Sequence, residues 1–187
     1  MIKRSKILIC LVLLVVLAVA SVVMLPYIKR TLYPLKYEQQ VTKYSQEYNV
    51  PETLVYAIIC TESSFDNEAT SNVGARGLMQ LMPDTFGWIA NKLDEPFDES
   101  KITDPETNIK YGTYYLSYLY QRFGDWETVM AAYNAGPNKV SSWLSDSKYS
   151  DDNISLKEIP YKETRDYVNR VSKAEKQYKE IYYSKED

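Results

Sequence analysis

Glu62 is the residue of this chain best placed to do acid chemistry. It follows Leu54 and Ile58 at four-residue intervals, so a helix through them puts its carboxyl on an apolar stripe. If that helix ends before Phe65, Glu62 also lies near a negative helix end. Both circumstances disfavour the ionised form and raise its pKa. A carboxylic acid that keeps its proton near neutral pH can give it to a leaving oxygen. Position alone fits an ordinary surface glutamate equally well. Three further segments join it. Gly74-Ala75-Arg76-Gly77 leads into Leu78-Met79-Gln80-Leu81-Met82-Pro83, where two glycines let a ligand approach the backbone. Ala132-Tyr133-Asn134-Ala135-Gly136-Pro137 brings a hydroxyl and an amide to a helix end. Pro160-Tyr161 with Glu163-Thr164 and Tyr167-Val168 opens the last helical stretch. Taken singly, each also reads as a plain turn, cap or helix start.

The rest of the composition excludes more than it offers. The 187 residues contain no histidine, which rules out a Ser-His-Asp triad, a Cys-His pair and His-ligated zinc. Two cysteines cannot make an all-thiolate zinc site. Neither Asp94–Glu99 nor Asp66–Glu68 has the spacing and central glycine of a calcium loop, and Gly74–Gly77 lacks the Gly-Lys-Ser/Thr of a phosphate loop. No metal or cofactor is expected.

The elements that must hold these residues read as helices throughout. Pro51, Pro83, Pro105 and Pro137 each open one. Asp104 and Asp125 precede two starts as capping side chains, and Gly124 ends the helix carrying Ile109, Gly112, Leu116 and Leu119. A last helix from near Tyr161 carries Tyr167, Val171, Ala174, Tyr178 and Ile181 at spacings of three and four. The fold class is all-α, without internal repeats.

The N-terminus reads differently. Residues 1–6 form a basic leader, and residues 7–25 are uncharged up to Pro26. Nineteen helical residues reach roughly 28 Å, the thickness of a bilayer core, so 7–25 is a membrane-spanning anchor. Ala18-Val19-Ala20 offers a cleavage pattern, but the length of the run favours an uncleaved helix. Cys10 lacks the small residues that precede a lipidated cysteine. Residues 26–40 are expected to connect to a domain at 41–183, with 184–187 as a tail. The flanking charges, Lys3, Arg4 and Lys6 against Lys29, Arg30 and Lys36, leave orientation undecided. All six basic residues before Tyr37 lie in this part; the other 16 face all 25 acidic ones, a net −9 for the domain. Such a domain is unsuited to nucleic acid. Cys60 has no disulfide partner in it, so its stability rests on its core.

The ordered set of motifs, from about Val41 to Tyr178, resembles the catalytic domain of the lytic transglycosylases, a family with a goose-type-lysozyme-like fold that cuts bacterial peptidoglycan. The resemblance rests on Glu62-Ser63, Ser71 with Gly74 to Pro83, Asp104-Pro105 with Asn108-Ile109, Ala132 to Pro137, and Ile159-Pro160-Tyr161 with Glu163-Thr164 and Tyr167-Val168. It implies that Glu62 is the sole catalytic acid and base, that Tyr133 lies beside it with Asn134 supporting that wall, that Ser71, Gln80 and Met82 line sugar subsites, and that Glu163 faces the cleft. Arg76 replaces a small residue and could point at substrate or solvent; Asn72 replaces a proline, which suggests a looser loop. The implied reaction cleaves the bond between N-acetylmuramic acid and N-acetylglucosamine and closes a 1,6-anhydro ring. A muramidase using water would need a second carboxylate, with Asp66, Glu68 and Glu163 available; a non-catalytic glycan-binding scaffold is the other alternative. The implied partners are glycan strands and the membrane. A protein partner in a secretion or conjugation assembly has no visible docking motif. Peptidoglycan lies outside the membrane, so the resemblance implies a single-pass bacterial membrane protein with its domain on the extracytoplasmic side.

Overall fold

The structure, a computed structural model, describes residues 2–183; the tail expected at 184–187 lies outside them. Among the described residues there are eight α-helices: α1 (Ile2–Leu32), α2 (Glu38–Tyr48), α3 (Glu52–Ser63), α4 (Pro83–Lys92), α5 (Pro105–Phe123), α6 (Trp126–Ala135), α7 (Pro137–Leu144) and α8 (Lys162–Tyr178). A 3-10 turn at Glu99–Thr103 precedes α5, and a π-helical turn at Lys179–Tyr183 prolongs α8. Among the described residues there are no strands, only isolated bridges from Arg76 to Thr70 and Leu81. The all-α expectation holds.

Helix starts follow local chemistry. Asp104 accepts the Thr107 amide at 2.9 Å, and Asp125 accepts that of Thr128 at 2.8 Å. Gly124 closes α5 at φ 73°, a conformation that glycine takes without steric cost. α3 is buried from Thr53 to Ile59, as a helix apolar on every side must be. It packs along α8, while α6 joins α8 to α5. Their apolar faces form the main core, and a smaller cluster of Leu81, Phe86, Ile89, Ile102 and Tyr111 seats α4.

Two boundaries differ from expectation. Pro26 does not stop the first helix, which runs on to Leu32. A proline ring removes one helical hydrogen bond, and later ones persist: Thr31 Oγ1 donates to the Tyr27 carbonyl at 3.0 Å and the Tyr33 amide to that of Lys29 at 2.9 Å. The 26–40 connector is thus mostly helical. α2, polar in sequence, buries only Val41, Tyr44 and Ser45, too narrow a stripe to stand out.

Leu11–Leu32 is long and apolar enough to cross a membrane, and none of it is buried in the protein. Its exit is fastened to the domain. Tyr182 Oη donates to the Tyr33 carbonyl at 2.8 Å, Tyr178 Oη to that of Pro34 at 3.3 Å, and the Cys60 thiol to that of Leu32 at 3.8 Å. Lys29 pairs with Glu180 at 3.5 Å.

Candidate active site

α3 ends because Ser64 and Phe65 both take left-handed backbone conformations, at φ 51° and 67°. Glu62 is therefore in the last turn, on the side facing α6 and α8. Burial pushes its carboxyl up to about 7; the Tyr167 hydroxyl and, more remotely, Arg170 pull it back. Tyr167 acts on Glu62 without reaching proper hydrogen-bond geometry, and its buried oxygen has no other partner among the described residues. Among the described residues no cation pairs with Glu62. Tyr133, from α6, is likewise held well above 10, first by burial and then by the Glu62 charge. The site is one carboxyl still partly protonated near neutral pH, between two tyrosines that cannot ionise there.

The facing wall is the loop from Ala69 to Met82. Within it the Ser71 amide donates to the Ala75 carbonyl, that of Gly77 to Ala69, and those of Arg76 and Leu81 to each other's carbonyls, all at 2.9–3.0 Å. Ser71 Oγ accepts the Ala75 amide at 2.9 Å. Gln80, left-handed at φ 48°, spends its amide N–H groups on the carbonyls of Ala69 and Gly77, both at 3.0 Å. Its Oε1 is the end left to accept from a ligand. The loop is closely tied although Asn72 stands where a proline would stiffen it.

Side chains from three helices pin this loop. Asn108, fully buried on α5, accepts the Met79 amide at 2.8 Å and donates to the carbonyls of Ile102 and Arg76 at 2.6 and 3.2 Å. Ser63 Oγ donates to the Leu78 carbonyl at 2.8 Å, and Tyr133 Oη to that of Met79 at 2.8 Å. Gly112 lets Met79 pack on α5, since a Cβ there would come within 2.3 Å of its sulfur. Sequence reasoning gave Asn108, Ser63, Gly112 and Tyr167 no separate role. The signal for Asn108 was a polar residue four before Gly112, on the apolar face of α5.

The predicted residues divide. Glu62 and Tyr133 come together, with Ser71 and Gln80 in the facing loop. Met82 is exposed where α4 begins. Asn134 and Glu163 are also exposed, and neither side chain makes a hydrogen bond among the described residues. Arg76 reaches Glu99 at 3.1 Å, so its cation is engaged by the 3-10 turn. Asp66 and Glu68 are exposed and caught in their own turn, where Asp66 Oδ1 accepts the Glu68 amide at 3.0 Å. No group of three metal-ligating side chains gathers among the described residues.

Residues 39–156 match the family described as Transglycosylase SLT domain. The chain is 41% identical over 143 residues to the soluble lytic murein transglycosylase of Escherichia coli K12, covering 74% of this chain and 22% of that protein. It is 33% identical over 169 residues to the membrane-bound lytic murein transglycosylase C of Edwardsiella ictaluri, covering 78% and 47%. An inactive glutamate-to-glutamine mutant of the lytic transglycosylase Slt from Pseudomonas aeruginosa superposes with a TM-score of 0.72 at 33% identity, covering 79% of this chain and 24% of that one. The chain thus spans less than half the length of these relatives.

Proposed function

Because the chain belongs to the Transglycosylase SLT domain family, we propose that it is a peptidoglycan lytic transglycosylase in which Glu62 is the only acid and base. One observation carries this reading: a single half-buried carboxyl, raised to about 7, on which no second carboxylate acts among the described residues. Glu62 donates its proton to the oxygen linking N-acetylmuramic acid to N-acetylglucosamine. The C1–O bond breaks, the N-acetylglucosamine side leaves as an alcohol, and positive charge grows at C1. The ionised Glu62 then takes the proton of the same sugar's C6 hydroxyl as that oxygen bonds to C1. Atoms balance without water, and Glu62 regains its proton. The internal hydroxyl has a high effective concentration. Usual glycosidases divide these tasks between two carboxylates.

Ser71, Gln80 and Met82 would line the sugar subsites, with Gln80 Oε1 accepting an amide N–H. Asn134 and Glu163 would meet substrate at the cleft rim. The apolar stretch of α1 would cross the bacterial membrane once, leaving the domain on the peptidoglycan side. Neither a metal nor a cofactor enters the reaction.

Peptidoglycan digested with the protein should yield anhydro-ended muropeptides by mass spectrometry. Reducing ends would make it a hydrolase, and binding without release of fragments would make it a scaffold. Glu62→Gln should lower the rate at least a thousandfold while the circular dichroism spectrum is unchanged; a folded, active variant would refute the role of Glu62. Protease protection of the domain in intact cells would overturn the topology.

A further inference from the structure

Where α1 leaves its apolar stretch, it encloses with the turn after α8 a groove of about 380 Å³. Val22, Leu25 and Pro26 line it from one part of α1, Lys29 and Arg30 from the next turn. Ile181 and Glu180 close the other side. Spacings of three and four keep Val22, Leu25, Pro26 and Lys29 on one helical face. An apolar wall thus gives way to two cations within about 10 Å, the order met on passing from acyl chains to phosphates in one leaflet. Val22 and Leu25 are exposed, so the protein itself does not cover that wall. The charges narrow the choice. Lys29 pairs loosely with Glu180 at 3.5 Å, whereas among the described residues no carboxylate pairs with Arg30. The Arg30 guanidinium lies 5.9 Å from the centre of the Tyr182 ring, and Tyr182 is fixed by donating to the Tyr33 carbonyl. A guanidinium so oriented, with its fork unspent on any carboxylate, matches a phosphate. A water-borne anion would leave the apolar wall wet; a phospholipid covers it with an acyl chain.

We propose that this groove binds an anionic phospholipid of the membrane that α1 crosses, its phosphate on Arg30 and Lys29 and an acyl chain along Leu25 and Val22. The inference rests on the anchor proposed above and adds a lipid preference to it. Glu180 disfavours a headgroup with a second anion and can accept from the neutral hydroxyls of phosphatidylglycerol. Because α8 continues into the turn bearing Glu180 and Ile181, a lipid seated here would bridge the anchor to the helix that carries Tyr167.

The test titrates the full chain, purified in a neutral detergent, with phosphatidylglycerol or with phosphatidylcholine of the same acyl chains. Bound lipid is counted by native mass spectrometry. Phosphatidylglycerol should bind about tenfold more tightly. Arg30→Gln should reduce that preference to within about twofold, and Arg30→Lys, which keeps the charge but not the fork, should retain part of it. Lys36→Gln removes an equal charge outside the groove, where Lys36 lies over the Phe65 ring, and should leave the preference unchanged. Equal binding of the two lipids by the wild type would overturn the proposal. So would a loss in Lys36→Gln as large as in Arg30→Gln, which would mean a diffuse basic collar. Free glycerol phosphate should not compete; if it does, the site takes a soluble anion and the lipid is refuted. The measurement needs neither peptidoglycan nor an oriented membrane. An absent preference therefore refutes the groove while protease protection still judges the topology, and a reversed topology would leave the preference intact.

Discussion

The two walls around Glu62 are built by opposite means. On one side, Tyr133 and Tyr167 are carried by α6 and α8, whose positions come from many apolar contacts in the main core. On the other, the Ala69–Met82 loop has little regular structure and is held at points: Asn108, Ser63, Tyr133 and the amide of Gln80 each seize named backbone groups. Distributed packing loses a little with each missing methyl group. A pinned loop loses its place when one buried polar anchor goes, because the groups it served are left unsatisfied. The helical wall should therefore tolerate damage that the loop wall does not.

The largest expected effect is on the loop. Asn108→Leu strands the Met79 amide and the Arg76 and Ile102 carbonyls in the interior, at a cost of about 3–5 kcal/mol. Denaturant melts should show that loss, and cleavage should disappear even under conditions where the variant is folded. A loss below about 1 kcal/mol would show that the loop is held by something else.

The next tests the carboxyl between the walls. Its pKa is about 7 when folded against 4.5 as the reference value, so the folded protein holds the proton longer. The stability this gives is complete below about pH 4.5 and is lost as pH rises through about 7, a change of about 3 kcal/mol. Glu62→Gln, neutral throughout, should lack that slope and be the more stable protein at pH 8 in paired denaturant melts. Cleavage by the wild type should decline above about pH 7 as the acid ionises; a rate still rising there would contradict the assignment.

Val129→Ala, on α6 one turn before Tyr133, sharpens the contrast. It should cost about 2 kcal/mol, while the cleavage rate per folded molecule stays within about twofold. A large rate loss would mean that the helical wall is as delicately set as the loop. The smallest effect belongs to Arg76→Gln. It breaks a largely solvent-exposed pair with Glu99, so melting should report no more than about 0.5 kcal/mol.

The same contrast explains what could be read in advance. α5 and α6 were legible because their signals are local: Asp104 before Pro105, Asp125 three residues before Thr128, Gly124 after Phe123. Glu62 was legible because a helical period carries a polar residue into apolar company. The pins were not, since the Ser63–Leu78 and Asn108–Met79 bonds join residues 15 and 29 positions apart, and neither partner signals the other. Ser71 and Gln80 were singled out by motif. Most of their hydrogen-bonding capacity nevertheless turns inward to the loop, which residue type alone does not reveal. α2 escaped because a helix resting on three buried residues has too weak a period to separate from a loop. Pro26 misled because a proline halts an apolar run more reliably than it halts a helix whose following turns are tied down.

The hydrogen bonds from Cys60, Tyr182 and Tyr178 to the carbonyls of Leu32, Tyr33 and Pro34 tether the end of α1 to the domain. On the proposed topology this sets a working height. Only glycan within one distance of the bilayer would come under Glu62, and a wall moved outward would escape cleavage that a loosely tethered domain could still reach.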